Sequence, residues 1–183
     1  MLPVEVGLPE LICLQGLNPL ASEWDKAVGD LSLIAFYYIL RQGEYCVKST
    51  APDKKQTVQF RVKDVTLFKQ DVGDVLRQLP HNTPDGILMC AESATMNLSN
   101  QKNGHKNVCI NHASNVNKAL CPVQVLARRI VSIHKHSSNP SIFFHLTSKR
   151  EGDTTSTTTT AAHHFQDVLM LLLLTSCLLP FWK

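Results

Sequence analysis

Hydrophobic and polar positions change period several times along the chain. Residues 1–20 scatter Pro3, Gly7, Pro9, Gly16 and Pro19 among leucines with no clear repeat, which predicts an irregular lead-in over residues 1–21. From Ser22, a suitable N-cap, Trp24, Ala27, Val28, Leu31, Ile34, Ala35, Tyr38 and Ile39 recur at helical spacing. Residues 23–40 are therefore expected to form one long buried helix, or two with a break near Gly29. Within residues 57–68, Val58, Phe60 and Val62 alternate with Gln59, Arg61 and Lys63, the period of a half-buried strand.

Asp71, Gly73, Asp74, Pro80, Asn82, Pro84 and Gly86 then predict a long loop. Extended character resumes over residues 87–101, with Ala94, Met96 and Leu98 on one side. Asn103-Gly104 suits a type I′ turn, because both residues tolerate positive φ, and Val108 and Ile110 share one face of a returning strand over residues 106–110. After Cys121-Pro122, an apolar stripe of Val123, Leu126, Ala127, Ile130 and Ile133 predicts a helix with Arg128 and Arg129 towards its sides. Residues 142–146 read as a short extended piece, residues 151–161 as a threonine-rich linker, and residues 162–183 as an apolar C-terminal helix or a non-native tail. The expected fold is α+β, mainly helical with a small three-stranded antiparallel sheet, and occupies residues 22–150.

Composition narrows the class. With 183 residues, 44% of them apolar, the chain fits one modest domain and excludes collagen-like, disordered and multispan membrane proteins. The net charge of +3 says little, but it divides into −4 over residues 1–40, +9 over residues 41–150 and −2 over residues 151–183. A basic middle fits a phosphate-facing surface as well as ordinary solvated lysines. Six dispersed cysteines and no basic-then-apolar opening point to reduced thiols in nucleus or cytoplasm. The apolar run between Val168 and Trp182, broken by Thr175, Ser176 and Pro180, falls short of the roughly 20 residues of a spanning helix. It leaves a membrane tether as a lesser alternative.

The usual enzymatic fingerprints are missing: no P-loop, no dinucleotide glycine pattern, no Gly-x-Ser-x-Gly and no His-Glu-x-x-His. A zinc set of Cys90, Cys109, His112 and Cys121 lacks a second close pair, so neither metal nor other cofactor is expected. His134 and His136 fit helix capping better than metal binding. The informative stretch is the apolar helix that runs straight into Arg41, with Glu44 three residues later. On residue types alone, Arg41 is the first solvated residue after a core helix, paired with Glu44.

The order of the neighbours adds a second reading. The stretch from Leu33 to Tyr45 resembles the first active-site box of the tyrosine recombinase (phage integrase-like) family, Asn100-Gln101-Lys102-Asn103-Gly104 resembles the hairpin carrying that family's catalytic lysine, and Cys121-Pro122-Val123 resembles the start of the next helix. The resemblance runs from about Trp24 to Leu146 and is nearest to eukaryotic mobile-element recombinases of the Crypton or DIRS type. It implies DNA recombination and integration through a tyrosine that attacks a phosphodiester. In that scheme Arg41 clamps the non-bridging oxygens bidentately, Lys102 protonates the leaving oxygen with Lys106 as its substitute, and Glu44 holds the arginine in register. Lys102, Lys106, Arg128 and Arg129 would contact DNA.

The sequence departs from that family in two decisive places. The third residue after each of His134, His136, His145, His163 and His164 is Ser137, Asn139, Ser148, Gln166 and Asp167, never the arginine of the family's second box. The only tyrosines, Tyr37, Tyr38 and Tyr45, stand beside the first box, where packing with a hydrogen-bonded hydroxyl is expected. The chain also starts too late for the helical domain that precedes the family's catalytic domain. The expectation is a truncated, degenerate and catalytically inactive recombinase domain that still binds DNA nonspecifically. A non-enzymatic nucleic-acid-binding module and a membrane-tethered interaction protein are the alternatives.

Overall fold

The computed structural model describes residues 7–40, 60–71, 73–98 and 107–141. Within them the chain is α+β, with helices α1 (Gly7–Gly16), α2 (Glu23–Tyr37), α3 (Asp85–Leu88) and α4 (Pro122–His134) and strands β1 (Val65–Gln70), β2 (Leu76–Leu79), β3 (Ser93–Leu98) and β4 (Val108–Ala113). The strands form one antiparallel sheet in the order β2-β1-β3-β4, so the sheet has four described strands where three were expected. Val65, Leu67, Ala94, Met96 and Leu98 line its inner face and share one core with α1, α2 and α4.

Helix α2 starts where the sequence predicts. Ser22 accepts from the Asp25 N–H at 3.1 Å while the Asp25 carboxylate accepts from the Ser22 N–H at 3.1 Å, a reciprocal capping box that satisfies two otherwise orphan donors. It ends three residues earlier than residue 40. The Leu40 N–H donates to the Ala35 carbonyl at 2.9 Å and the Ile39 N–H to Phe36 at 3.3 Å, the paired bonds of a Schellman ending. Such an ending needs a left-handed residue at its turning point. Ile39 supplies it at φ 53°, a conformation that crowds a β-branched side chain.

The lead-in is not irregular: residues 7–16 form α1, which buries Pro9, Ile12, Cys13 and Gly16 on one face. Leu11 and Leu14 point outward, 54% and 48% exposed, so the helix is apolar on both sides and shows no amphipathic contrast. Gly29 does not break α2. A Cβ there would lie 3.0 Å from both the Cys13 Cα and the Ile12 carbonyl oxygen, so the missing side chain is what lets α1 and α2 touch. Gly16 makes the matching approach from the other side, where an added Cβ would lie 2.7 Å from the Asp25 carbonyl oxygen.

In the expected strand of residues 57–68, Phe60 and Val62 are buried, but Val62–Asp64 forms a 3-10 turn and the regular strand starts only at Val65. The expected loop of residues 71–86 contains β2, an edge strand exposed at three of its four positions and therefore without an alternating apolar signal. Residues 85–88 are helical rather than loop or strand. The expected strands around Ala94, Met96 and Leu98 and around Val108 and Ile110 are β3 and β4, paired from Ser93↔Ala113 to Leu98↔Val108. Helix α4 opens on Pro122 with Cys121 as N-cap and buries Val123, Leu126, Ala127, Ile130 and Ile133. The described helices include none long and apolar enough to cross a membrane. The expected linker, the C-terminal apolar segment, the 142–146 piece and the Asn103-Gly104 turn lie outside the described residues.

Candidate functional site

Helix α2 and strand β4 meet at a small aromatic cluster. His112 donates from Nε2 to the Tyr37 carbonyl oxygen at 3.0 Å, giving a partner to one of the carbonyls that every helix C-terminus leaves free. The Tyr38 ring sits edge-on to the same imidazole, with centroids 4.7 Å apart. Through this junction the exit of α2 is fixed to the strand that pairs with β3. Arg41 follows one residue after Leu40, and Lys102 and Lys106 follow the last β3 residue, Leu98; all three, with Glu44, lie outside the described residues.

Tyr38 itself is fully buried, and its hydroxyl has no hydrogen-bond partner among the described residues. That corrects the expectation of a bonded hydroxyl. Burial, with the Cys121 thiol adding to it, pushes the phenol well above its ordinary range. A side chain in that state neither ionises nor reaches a phosphodiester, so it is a packing residue.

Arg128 and Arg129 do not stand free on the sides of α4. Arg128 is bound to Asp30 of α2, with Nη2 at 2.8 Å and Nε at 3.2 Å from Oδ1. Its Nη1 donates to the Ala119 carbonyl at 3.0 Å, and Nη2 lies 3.5 Å from Cys13 Sγ. One guanidinium thus holds α1, α2, α4 and the segment before α4. Burial raises the Asp30 carboxyl above the usual carboxylate range even though Arg128 pulls it down, so the desolvation cost exceeds the attraction. The same burial, with Asp30 adding to it, lifts the Cys13 thiol to about 11, which keeps it protonated and inert. Arg129 is only 7% exposed; burial lowers its basicity while Asp30 and Glu23 oppose the change. Arg128 is thus tied to α2 and Arg129 is buried within the fold. Periodicity could not reveal it, because Asp30 and Arg128 are 98 positions apart.

The two arginines, with Lys26, Lys135, Glu23 and Asp30, border a cleft of about 410 Å³ between α2 and α4. Its charges are largely spent internally, since Lys26 pairs with Glu23 at 2.9 Å and Arg128 with Asp30. At the C-terminal end of α4, His134 lies 3.6 Å from Asp85, and burial with help from His134 lowers the basicity of His81. Cys90, Cys109, His112 and Cys121 do not converge, and the described residues hold no group of three or more side chains suited to a metal. Compared with known proteins, the chain matches no family model, no curated protein and no solved structure at a significant level.

Proposed function

We propose that this chain is a DNA-binding remnant of a tyrosine recombinase that no longer cuts DNA. The observation carrying the reading is the ordered set of three motifs, the apolar helix into Arg41 and Glu44, the Lys102 turn and the Cys121-Pro122 helix start. The arrangement of their scaffolds supports it. The helix before Arg41 is capped against β4, the strands flanking the Lys102 segment are paired neighbours up to Leu98↔Val108, and α4 packs on α2. The elements adjoining the three motifs, α2, the β3–β4 pair and α4, thus share one core.

Arg41 is the bidentate clamp in this reading, Lys102 the proton donor with Lys106 as substitute, and Glu44 the positioning acid. Strand cleavage fails because the histidine-arginine box is missing and no suitable nucleophile stands in its place. Without a nucleophile the covalent route is closed rather than slowed. The test is incubation of the purified full chain with labelled duplex DNA. Salt-sensitive binding without an SDS-resistant adduct is expected, and Arg41→Ala should weaken it. An adduct at a tyrosine refutes the loss of activity, while salt-insensitive binding or none refutes the DNA reading.

A further inference from the structure

The sheet ends in two edges of different character. Strand β2 is short and carries Arg77 opposite Lys69 of β1, the charged kind of edge with which proteins keep other strands away. Strand β4 has no such guard, since its six residues, Val108–Ala113, include no proline, glycine, lysine, arginine or carboxylate. Its one titratable base, His112, is held by the Tyr37 carbonyl oxygen at 3.0 Å. Two further bonds fix which way the β4 backbone points. The Ser114 N–H donates to the Glu92 carbonyl at 2.6 Å, and the His112 carbonyl accepts from Ser93 Oγ at 3.2 Å, so His112 faces β3. Antiparallel strands alternate bonded and unbonded pairs, so Ile110 and Val108 also face β3, while Cys109, Asn111 and Ala113 turn their N–H and C=O groups away from the sheet. Among the described residues no hydrogen bond reaches those outward groups, and all three residues are exposed. On the core side Val108 and Ile110 stay half-buried, whereas Leu98 and Met96 opposite them are buried.

We infer that β4 is a dimerisation edge, which pairs antiparallel with β4 of a second copy of this chain into one continuous sheet. A two-fold axis at Asn111 is the register that pairs all three outward residues: Asn111 meets its counterpart, and Cys109 of each copy meets Ala113 of the other. Short uncharged side chains then lie opposite one another on the outer face. On the core side Ile110 comes beside His112 of the other copy, which covers apolar surface that one copy leaves half exposed. The Asn111 amide oxygen accepts from Thr95 Oγ1 at 2.6 Å, so its N–H donors remain for the matching amide across the axis. A second copy fits better than a foreign strand because β4 is complementary to itself: no like charges oppose, and each outward donor meets an acceptor. Edge pairing alone is a small interface, so the dimer should dissociate on dilution. None of the residues assigned to DNA takes part.

The experiment is sedimentation velocity of the full chain over a dilution series, on the wild type and three variants. The wild type should show a monomer–dimer equilibrium. Asn111→Lys and Asn111→Asp each set like charges against one another at the axis and should each stay monomeric, whereas their equimolar mixture should sediment as a dimer because lysine then faces aspartate. Asn111 is exposed, so circular dichroism should show both variants folded like the wild type. Ala113→Cys places a thiol opposite Cys109 of the other copy, with Cα atoms about 5.5 Å apart, a separation a disulfide can span. Mild oxidation should then give a covalent dimer, with peptide mass spectrometry locating the link between Cys109 and position 113. A wild type that is monomeric at its highest soluble concentration overturns the dimer. A dimer that persists in both charge variants, or a mixture that stays monomeric, overturns β4 as its seat. Cross-links that join other cysteines but not these two overturn the register at Asn111. If a charge variant unfolds, the cross-link decides alone.

Discussion

Replacing Asp30 by alanine removes the carboxylate that holds Arg128 and leaves a guanidinium only 20% exposed, with backbone carbonyls as its nearest acceptors. At an effective dielectric constant of about 20, two charges about 4 Å apart attract by about 4 kcal/mol. Burial outweighs that attraction in the intact pair, which is why the Asp30 carboxyl sits high. Deletion of one partner is a different case, because the desolvation of the remaining charge is no longer offset. For a well-buried pair the loss is roughly 3–5 kcal/mol. Partial access of water to Arg128 places Asp30→Ala near the lower end, at about 3 kcal/mol. Urea unfolding followed by circular dichroism measures it. The double change Asp30→Leu/Arg128→Met, which removes both charges and keeps apolar volume, should recover most of the loss. A single-variant loss under about 0.5 kcal/mol, or a double variant no more stable than the single, would refute the account of the pair as a charge-balanced staple.

Four further outcomes follow from particular residues. Ile39→Gly should stabilise the fold by about 1 kcal/mol in the same assay, since glycine adopts φ 53° without crowding. Tyr38→Phe, which deletes a buried hydroxyl lacking a described partner, should be neutral or stabilising by up to about 1 kcal/mol; a clear loss would reveal a hydrogen bond. Gly29→Ala should cost about 1–3 kcal/mol despite alanine's better helix propensity, because the added carbon meets backbone at 3.0 Å; thermal melting decides the sign. Burial lowers the His81 pKa below its ordinary 6.5, so between the two values the unfolded chain binds the proton that the folded one refuses. Stability should therefore fall as pH drops below 6.5, and His81→Gln should flatten that fall in denaturant titrations at a series of pH values.

Local chemistry was legible where it was strong. The Ser22 cap, the Pro122 start, the stripe from Val123 to Ile133 and the inward row of Ala94, Met96 and Leu98 could each be read from neighbours a few positions apart. Elements whose signal is not local were missed. Helix α1 carries leucines on its outer side as well as its buried one, and its proline and glycines imitate a loop. Strand β2 has almost no buried side, so its pairing with β1 left no trace in the alternation. Gly29 was legible as an exception but not as a contact, because its partners are backbone atoms of another helix. At the candidate site the motifs were visible as sequence, whereas the capture of Arg128 and Arg129 by the interior depended on Asp30, which nothing nearby in the chain connects to them.

The glycine seam between α1 and α2 also sets where the folding unit begins. A chain shortened to start at Ser22 would keep every motif yet strip Ile12 and Cys13 from the core and open a furrow along Gly29. The ten residues that looked most dispensable act instead as a lid on α2, so trimming them would loosen the packing of that helix.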